Sequence, residues 1–157
     1  MISLTRLVAR SLDAASRYLG GTSPEHLQTA RCGEMEAYFY LRSLGYRIVA
    51  RNFRTARDHG EIDMIGWDDG VLSFIEVKTH SHAGIVPPEV AVDSSKRAHI
   101  RSVARRYLRQ LKTQTTPTCR FDVVSVVLGD ERRGPEIRLH KGAFAWRARN
   151  LQKGEWH

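Results

Sequence analysis

The chain has 157 residues, 41% apolar and 27% charged, with 25 Lys and Arg against 17 Asp and Glu for a net charge of +8. That length fits one domain with its own core, while the lack of an apolar run of about eighteen residues excludes a membrane-spanning helix. The positive balance favours polyanionic partners, nucleic acid first and an anionic membrane surface second. Cys32 and Cys119 match neither a disulfide framework nor a zinc spacing. They read as small buried hydrophobes in a reducing, cytoplasmic setting.

Residues 2–19 predict an amphipathic helix, with Leu4, Leu7, Val8, Leu12, Ala15 and Leu19 on one side and Arg6, Arg10 and Arg17 on the other. Gly20-Gly21 ends it, and Thr22-Ser23-Pro24 is a breaker. A packed appendage, a basic helix on a membrane surface and a targeting presequence all fit this pattern. A second helix is expected over Glu25–Leu44, closed by Gly45. Its inward stripe, Ala30, Glu34, Ala37, Leu41 and Leu44, contains one carboxylate.

Tyr46–Asn52 alternates as a strand, and the basic segment Arg51–His59 reads as a loop or hairpin arm. Gly60–Thr79 then gives two apolar runs around an Asp68-Asp69-Gly70 turn, a hairpin signal. Both runs carry charge: Glu61 and Asp63 in the first, Glu76 and Lys78 in the second. Buried charges need partners, metals or a cleft to offset desolvation. A loop follows at His80–Gly84, stiffened by Pro87-Pro88.

A third helix, from Asp93 or Ser94 to Leu111, has the stripe Ile100, Val103, Ala104, Tyr107, Leu108 and Leu111. Arg101, Arg105, Arg106 and Arg109 coat the opposite side, with Arg97 and Lys96 in the first turn and Lys96 at the border of the stripe. These six cations are the candidate nucleic-acid contacts. Phe121–Leu128 is a buried strand that includes Asp122, and Glu136–His140 is a short last strand. The division expected is an N-terminal helical extension over 1–24, an α/β domain over 25–147 and a basic tail over 148–157. The domain is expected to hold a mixed central sheet flanked by helices.

Strand alternation puts Glu76 and Lys78 on one face, and Glu61, Asp63 and Ile65 on one face of the preceding strand. If those faces coincide, two carboxylates and a lysine converge, and the carboxylates require a cation. Mg²⁺ fits, being hard and held by one or two carboxylates plus waters, with Mn²⁺ as the alternative. Asp63, Glu76, the Val77 carbonyl and Glu61 are the candidate ligands. Lys78 is the candidate holder of an attacking water or of developing negative charge, and Glu34 an acid that orients water or binds a second ion. A structural ion pair of Lys78 with Asp63 or Glu76 is the plainer alternative.

Asp63…Glu76-Val77-Lys78 resembles the PD-(D/E)xK nuclease pattern. A wider set resembles the YraN family of small bacterial proteins, which are similar to archaeal Holliday-junction resolvases. That set is Gly33-Glu34 with Ala37, Leu44–Ile48, Arg51-Asn52, Gly60–Ile65, Phe74–Thr79, Lys96 and Arg120–Val124, within a span from about Ala30 to Phe144. His80 stands where the family commonly has Arg, and Ile85–Val90 matches only loosely. The resemblance implies a restriction-endonuclease-like core, nucleic-acid binding, metal on Asp63 and Glu76, catalysis by Lys78 and a supporting acid at Glu34. It points to a Mg²⁺-dependent endonuclease acting on branched or flapped DNA, where junction resolution would imply a two-fold homodimer. A non-catalytic nucleic-acid-binding module is the second expectation. A membrane-surface or partner-binding role for the N-terminal helix is the third.

Overall fold

A computed structural model of the chain describes residues 25–56, 60–80, 92–111, 113, 115–129 and 134–146. The expected N-terminal helix, the loop beyond His80 and the basic tail lie outside the described residues. The described elements run α1 (Glu25–Ser43), β1 (Arg47–Arg54), β2 (Glu61–Asp68), β3 (Val71–His80), α2 (Ser94–Gln110), β4 (Cys119–Val127) and β5 (Glu136–Phe144). No described helix is long and apolar enough to cross a membrane.

The five strands form one sheet in the order β1-β2-β3-β4-β5. Only the β3–β4 pair is parallel, and its crossover carries α2. The sheet is therefore mixed and flanked by helices, the α/β layout expected from the sequence and consistent with a nuclease-like core. On one face Ala37 and Leu41 of α1 pack with Tyr46, Met64, Ile75, Val77, Val124 and Val126. On the other, Ile100, Val103 and Ala104 of α2 pack with Ile65, Leu72, Phe74, Phe121 and Val123. The central strand β3 is thus covered on both sides, which is why its run reads as almost continuously apolar.

Local chemistry sets the element ends. At the end of α1, Tyr46 N–H donates to Leu41 O (3.0 Å), Gly45 N–H donates to Arg42 O (3.1 Å), and Gly45 has φ +93°. This is a Schellman cap, which requires a left-handed residue at that point. It also corrects Leu44: the helix stops before it, and Leu44 is exposed instead of lying on the inward stripe. The β2–β3 turn has Asp69 at φ +45° and Gly70 at φ +82°, with Asp68 and Val71 paired across it. Two left-handed central residues make a type I′ turn, whose twist suits a hairpin. Strand β1 runs on to Arg54, past the expected end, because Arg54 pairs with Glu61 in the ladder and donates to its carboxylate at 2.6 Å. Strand β5 likewise runs four residues beyond His140, through a register shift opposite Phe121–Val123.

The α2 arginines do not form one uniform solvent face. Arg97 donates to Val92 O (2.7 Å), and Arg101 donates to Ala145 O (2.8 Å). Both guanidiniums lie over the Phe144 ring. Arg105 and Arg109 are exposed, while Arg106 is half-buried. The helix stands beside the end of β5, so its first two arginines have aromatic and carbonyl neighbours that a helical wheel does not reveal.

Candidate metal centre

The site begins where the β2–β3 ladder stops. Backbone pairing runs from Asp68↔Val71 to Met64↔Ile75. At the next rung Val77 N–H donates to a side chain instead, the Asp63 Oδ2 atom, at 2.7 Å. The N–H and C=O of one strand residue point to the same edge, so the Val77 carbonyl also faces the gap beside Asp63. Simple alternation fails at this place too. Ile62 and Ile65 both pack toward α2, whereas Met64 packs toward α1. Opposite the break, Asn52 in β1 holds a left-handed φ of +50°. The two strands diverge into a notch with Asp63 on one wall and Glu76 on the other.

Glu76 is only 4% exposed and Asp63 only 7%. Glu76 Oε1 accepts from two ammonium groups, Lys78 Nζ at 3.1 Å and Lys96 Nζ at 3.2 Å. Its other oxygen, Oε2, is buried and has no hydrogen-bond partner among the described residues. Burial, and then the charge of Glu76, push the Asp63 carboxyl up to about 7, against the opposing Val77 N–H bond and the Lys96 charge. A carboxylate pair in this state is poised for a cation: one acid is reluctant to ionise and the other has an unsatisfied lone-pair atom.

Glu34 reaches the notch from α1. Gly33, the residue before it, is buried, and a Cβ built there would lie 1.9 Å from Thr79 Oγ1 and 2.7 Å from Thr79 Cβ. Only glycine lets α1 lie this close to the end of β3. Glu34 Oε2 accepts from Asn52 Nδ2 at 3.3 Å. Burial raises its pKa; Arg51 opposes this, and Glu61 and Glu76 add to it. A cleft of about 560 Å³ opens beside these groups, lined by His26 and Thr29 of α1, Glu34, Val77, Thr79 and His80. Lys96 is set by the cap of α2, where its N–H donates to Asp93 Oδ1 at 2.8 Å.

The structure therefore brings Asp63, Glu76, Lys78 and the Val77 edge together, with Glu34 at the rim. Glu61 is paired with Arg54, and its charge is felt by Glu34. Lys96, expected as a nucleic-acid contact, sits on the candidate ligand Glu76. The other five cations lie along α2. Arg106 and Arg109 line a second cleft, of about 310 Å³, with Thr55, Ala56 and Gln110. Among the described residues no group of three or more His, Cys, Asp or Glu is assembled. Two carboxylates with a backbone carbonyl remain a donor set suited to Mg²⁺, which keeps several of its waters.

A further buried carboxylate, Asp122, has no role that the sequence pattern assigns. Asp122 is fully buried and accepts from Tyr46, Ser73, Arg120 and the Gly142 N–H. Arg120 also reaches Asp68 (2.6 Å), as does Lys141 (2.7 Å). The signal was present as a charge inside Phe121-Asp122-Val123-Val124, the same signal that marks Glu76. Only the partners separate the two: Asp122 is saturated with donors and Glu76 is not.

The family model described as Uncharacterised protein family UPF0102 matches residues 33–126, which contain Glu34, Asp63, Glu76, Lys78 and Lys96. The chain is 52% identical over 140 residues to a UPF0102 protein of Koribacter versatilis, covering 89% of this chain and 94% of that one. It is 45% identical over 131 residues to a UPF0102 protein of Solibacter usitatus, with coverages of 83% and 95%. It is 41% identical over 117 residues to a UPF0102 protein of Symbiobacterium thermophilum, with coverages of 74% and 96%.

Proposed function

Because this chain belongs to the UPF0102 family, the YraN family, whose description names no activity, we propose its function from the site: divalent-metal-dependent hydrolysis of DNA phosphodiester bonds, in branched or flapped substrates. The observation that carries this reading is the buried Oε2 of Glu76, without a hydrogen-bond partner among the described residues, close to a second buried carboxylate, Asp63, with Lys78 on the other Glu76 oxygen. Asp63, Glu76 and the Val77 carbonyl would hold Mg²⁺ or Mn²⁺. Such an ion, when bound, polarises a phosphoryl oxygen and lowers the pKa of a coordinated water.

The chain's own groups divide the remaining work. Lys78 supplies a compact positive charge for the attacking water or for charge developing on the phosphoryl oxygens. Glu34, held by Asn52 at the rim, orients water or accepts its proton. The exposed Arg105 and Arg109 place phosphates along α2 without reading sequence. Burial lowers the pKa of Arg101, and so does its crowding by Arg97 and Arg105, as expected where cations cluster without enough anions.

The test is incubation of duplex, flap and four-way-junction DNA with the protein in Mg²⁺ or Mn²⁺. Cleavage by wild type and its loss in Asp63→Ala are expected. Equal inertness of the two on every substrate would overturn the enzymatic reading. One observation favours a second reading, a non-catalytic nucleic-acid-binding module. Glu76 Oε1 already has two ammonium partners, so the notch keeps some charge balance without metal. Salt-dependent DNA binding that is indifferent to metal and to Asp63→Ala would select it.

A further inference from the structure

Lys78 and Lys96 meet on a single oxygen of Glu76, at 3.1 and 3.2 Å. The two ammoniums can be no farther apart than the sum of those contacts. Two like charges at that separation repel, and one carboxylate oxygen compensates one of them. They differ in origin. Lys78 extends from β3 itself, two residues after Glu76, so its place beside the notch is fixed by strand alternation. Lys96 arrives from the first turn of α2, with its backbone pinned by Asp93 and a flexible four-carbon stem leading to Glu76. Its charge also acts on Asp63, the other candidate ligand. One mobile ammonium thus serves both carboxylates, which is the electrostatic work of a bound cation.

We infer that Lys96 is a resident stand-in for the divalent ion: it holds the cation's place on Glu76 in the metal-free protein and must withdraw when a metal binds. This rests on the metal-dependent reading above. A bound dication brings two further positive charges to a carboxylate whose other oxygen already holds two ammoniums, so occupancy by metal and by Lys96 are mutually opposed. Lys96 therefore sets metal affinity without being a ligand. It keeps the notch neutralised when empty and makes ion uptake weaker than the two carboxylates alone would allow. The withdrawn ammonium, its helix turn unmoved, is then available to a substrate phosphate.

The experiment is calorimetric titration of the full chain with Mn²⁺, comparing wild type, Lys96→Met and Lys96→Arg, with folding checked by circular dichroism. Removing the competing charge while keeping the stem should tighten Mn²⁺ binding about tenfold in Lys96→Met. Lys96→Arg, which keeps the charge, should remain within about twofold of wild type. Unchanged or weaker Mn²⁺ affinity in folded Lys96→Met overturns the inference while leaving the metal site standing. Absence of Mn²⁺ binding in both wild type and Lys96→Met overturns the metal reading itself. If Lys96→Met does not fold, Lys96→Gln provides the same comparison with a polar stem end.

Discussion

Asp63 and Asp122 lie on strands either side of β3, and their surroundings give them opposite chemistry. Each accepts a backbone N–H where a ladder is interrupted, Val77 for Asp63 and Gly142 for Asp122. Asp122 adds Tyr46, Ser73 and Arg120, and so becomes a structural knot. Asp122→Ala should cost about 3–5 kcal/mol, since it leaves the Arg120 charge without its principal partner, and urea denaturation measures it. Asp63 instead faces Glu76, and its carboxyl is pushed up to about 7 from an ordinary 3.8, by burial first and Glu76 second. A carboxyl with a raised folded-state pKa binds its proton more tightly when folded. Its contribution to stability is greatest below the unfolded value, falls as pH rises from about 4 to about 7, and is flat above that. Asp63→Asn keeps an acceptor for Val77 and removes the charge. In EDTA it should therefore raise stability at pH 8 by about 1–3 kcal/mol, several degrees in Tm, and by much less at pH 4. Parallel Tm–pH curves for wild type and Asp63→Asn would refute this assignment.

At the scale of elements, the notch depends on how closely α1 and α2 approach the sheet. An exposed glycine-to-alanine change within a helix ordinarily stabilises by about 1 kcal/mol. At Gly33 the sign should invert: the new methyl meets Thr79 backbone-proximal atoms and forces α1 outward, costing about 1–3 kcal/mol and displacing Glu34 from the rim. Thermal melts report the sign. At α2, Asp93→Ala removes the cap that seats Lys96 and should lower the melting temperature. Much of this was legible in the sequence. The Asp-Gly turn set the β2–β3 register, and register put Asp63, Ile65, Phe74 and Glu76 toward one face. The break in alternation at Asp63 was not legible, because it lies at a rung where the neighbouring strand carries a left-handed residue, Asn52, that no local pattern announces. The knot around Asp122 was hidden for a similar reason. Its members, Tyr46, Asp68, Ser73, Arg120 and Lys141, are scattered through the chain and meet only after the sheet forms. Arg97 and Arg101 showed their helical spacing, yet nothing local announced the Phe144 ring beneath them.

For the molecule as a whole, the proposed binding to a polyanion should be sequence-independent and salt-dependent, given a net charge of +8 and the exposed arginines of α2. Arg105→Ala and Arg109→Ala should each weaken DNA affinity uniformly across sequences and reduce the log–log salt slope by about one. Fluorescence anisotropy across a salt series measures both effects, and a slope unchanged by either substitution would remove α2 from the interface. The central claim remains that two buried carboxylates on diverging strands form a divalent-metal site. Calorimetric titration of wild type and Glu76→Ala with Mn²⁺ tests it most directly. One saturable site in wild type, lost in a folded Glu76→Ala, is the predicted result; no binding to wild type, or equal binding to both, would contradict it.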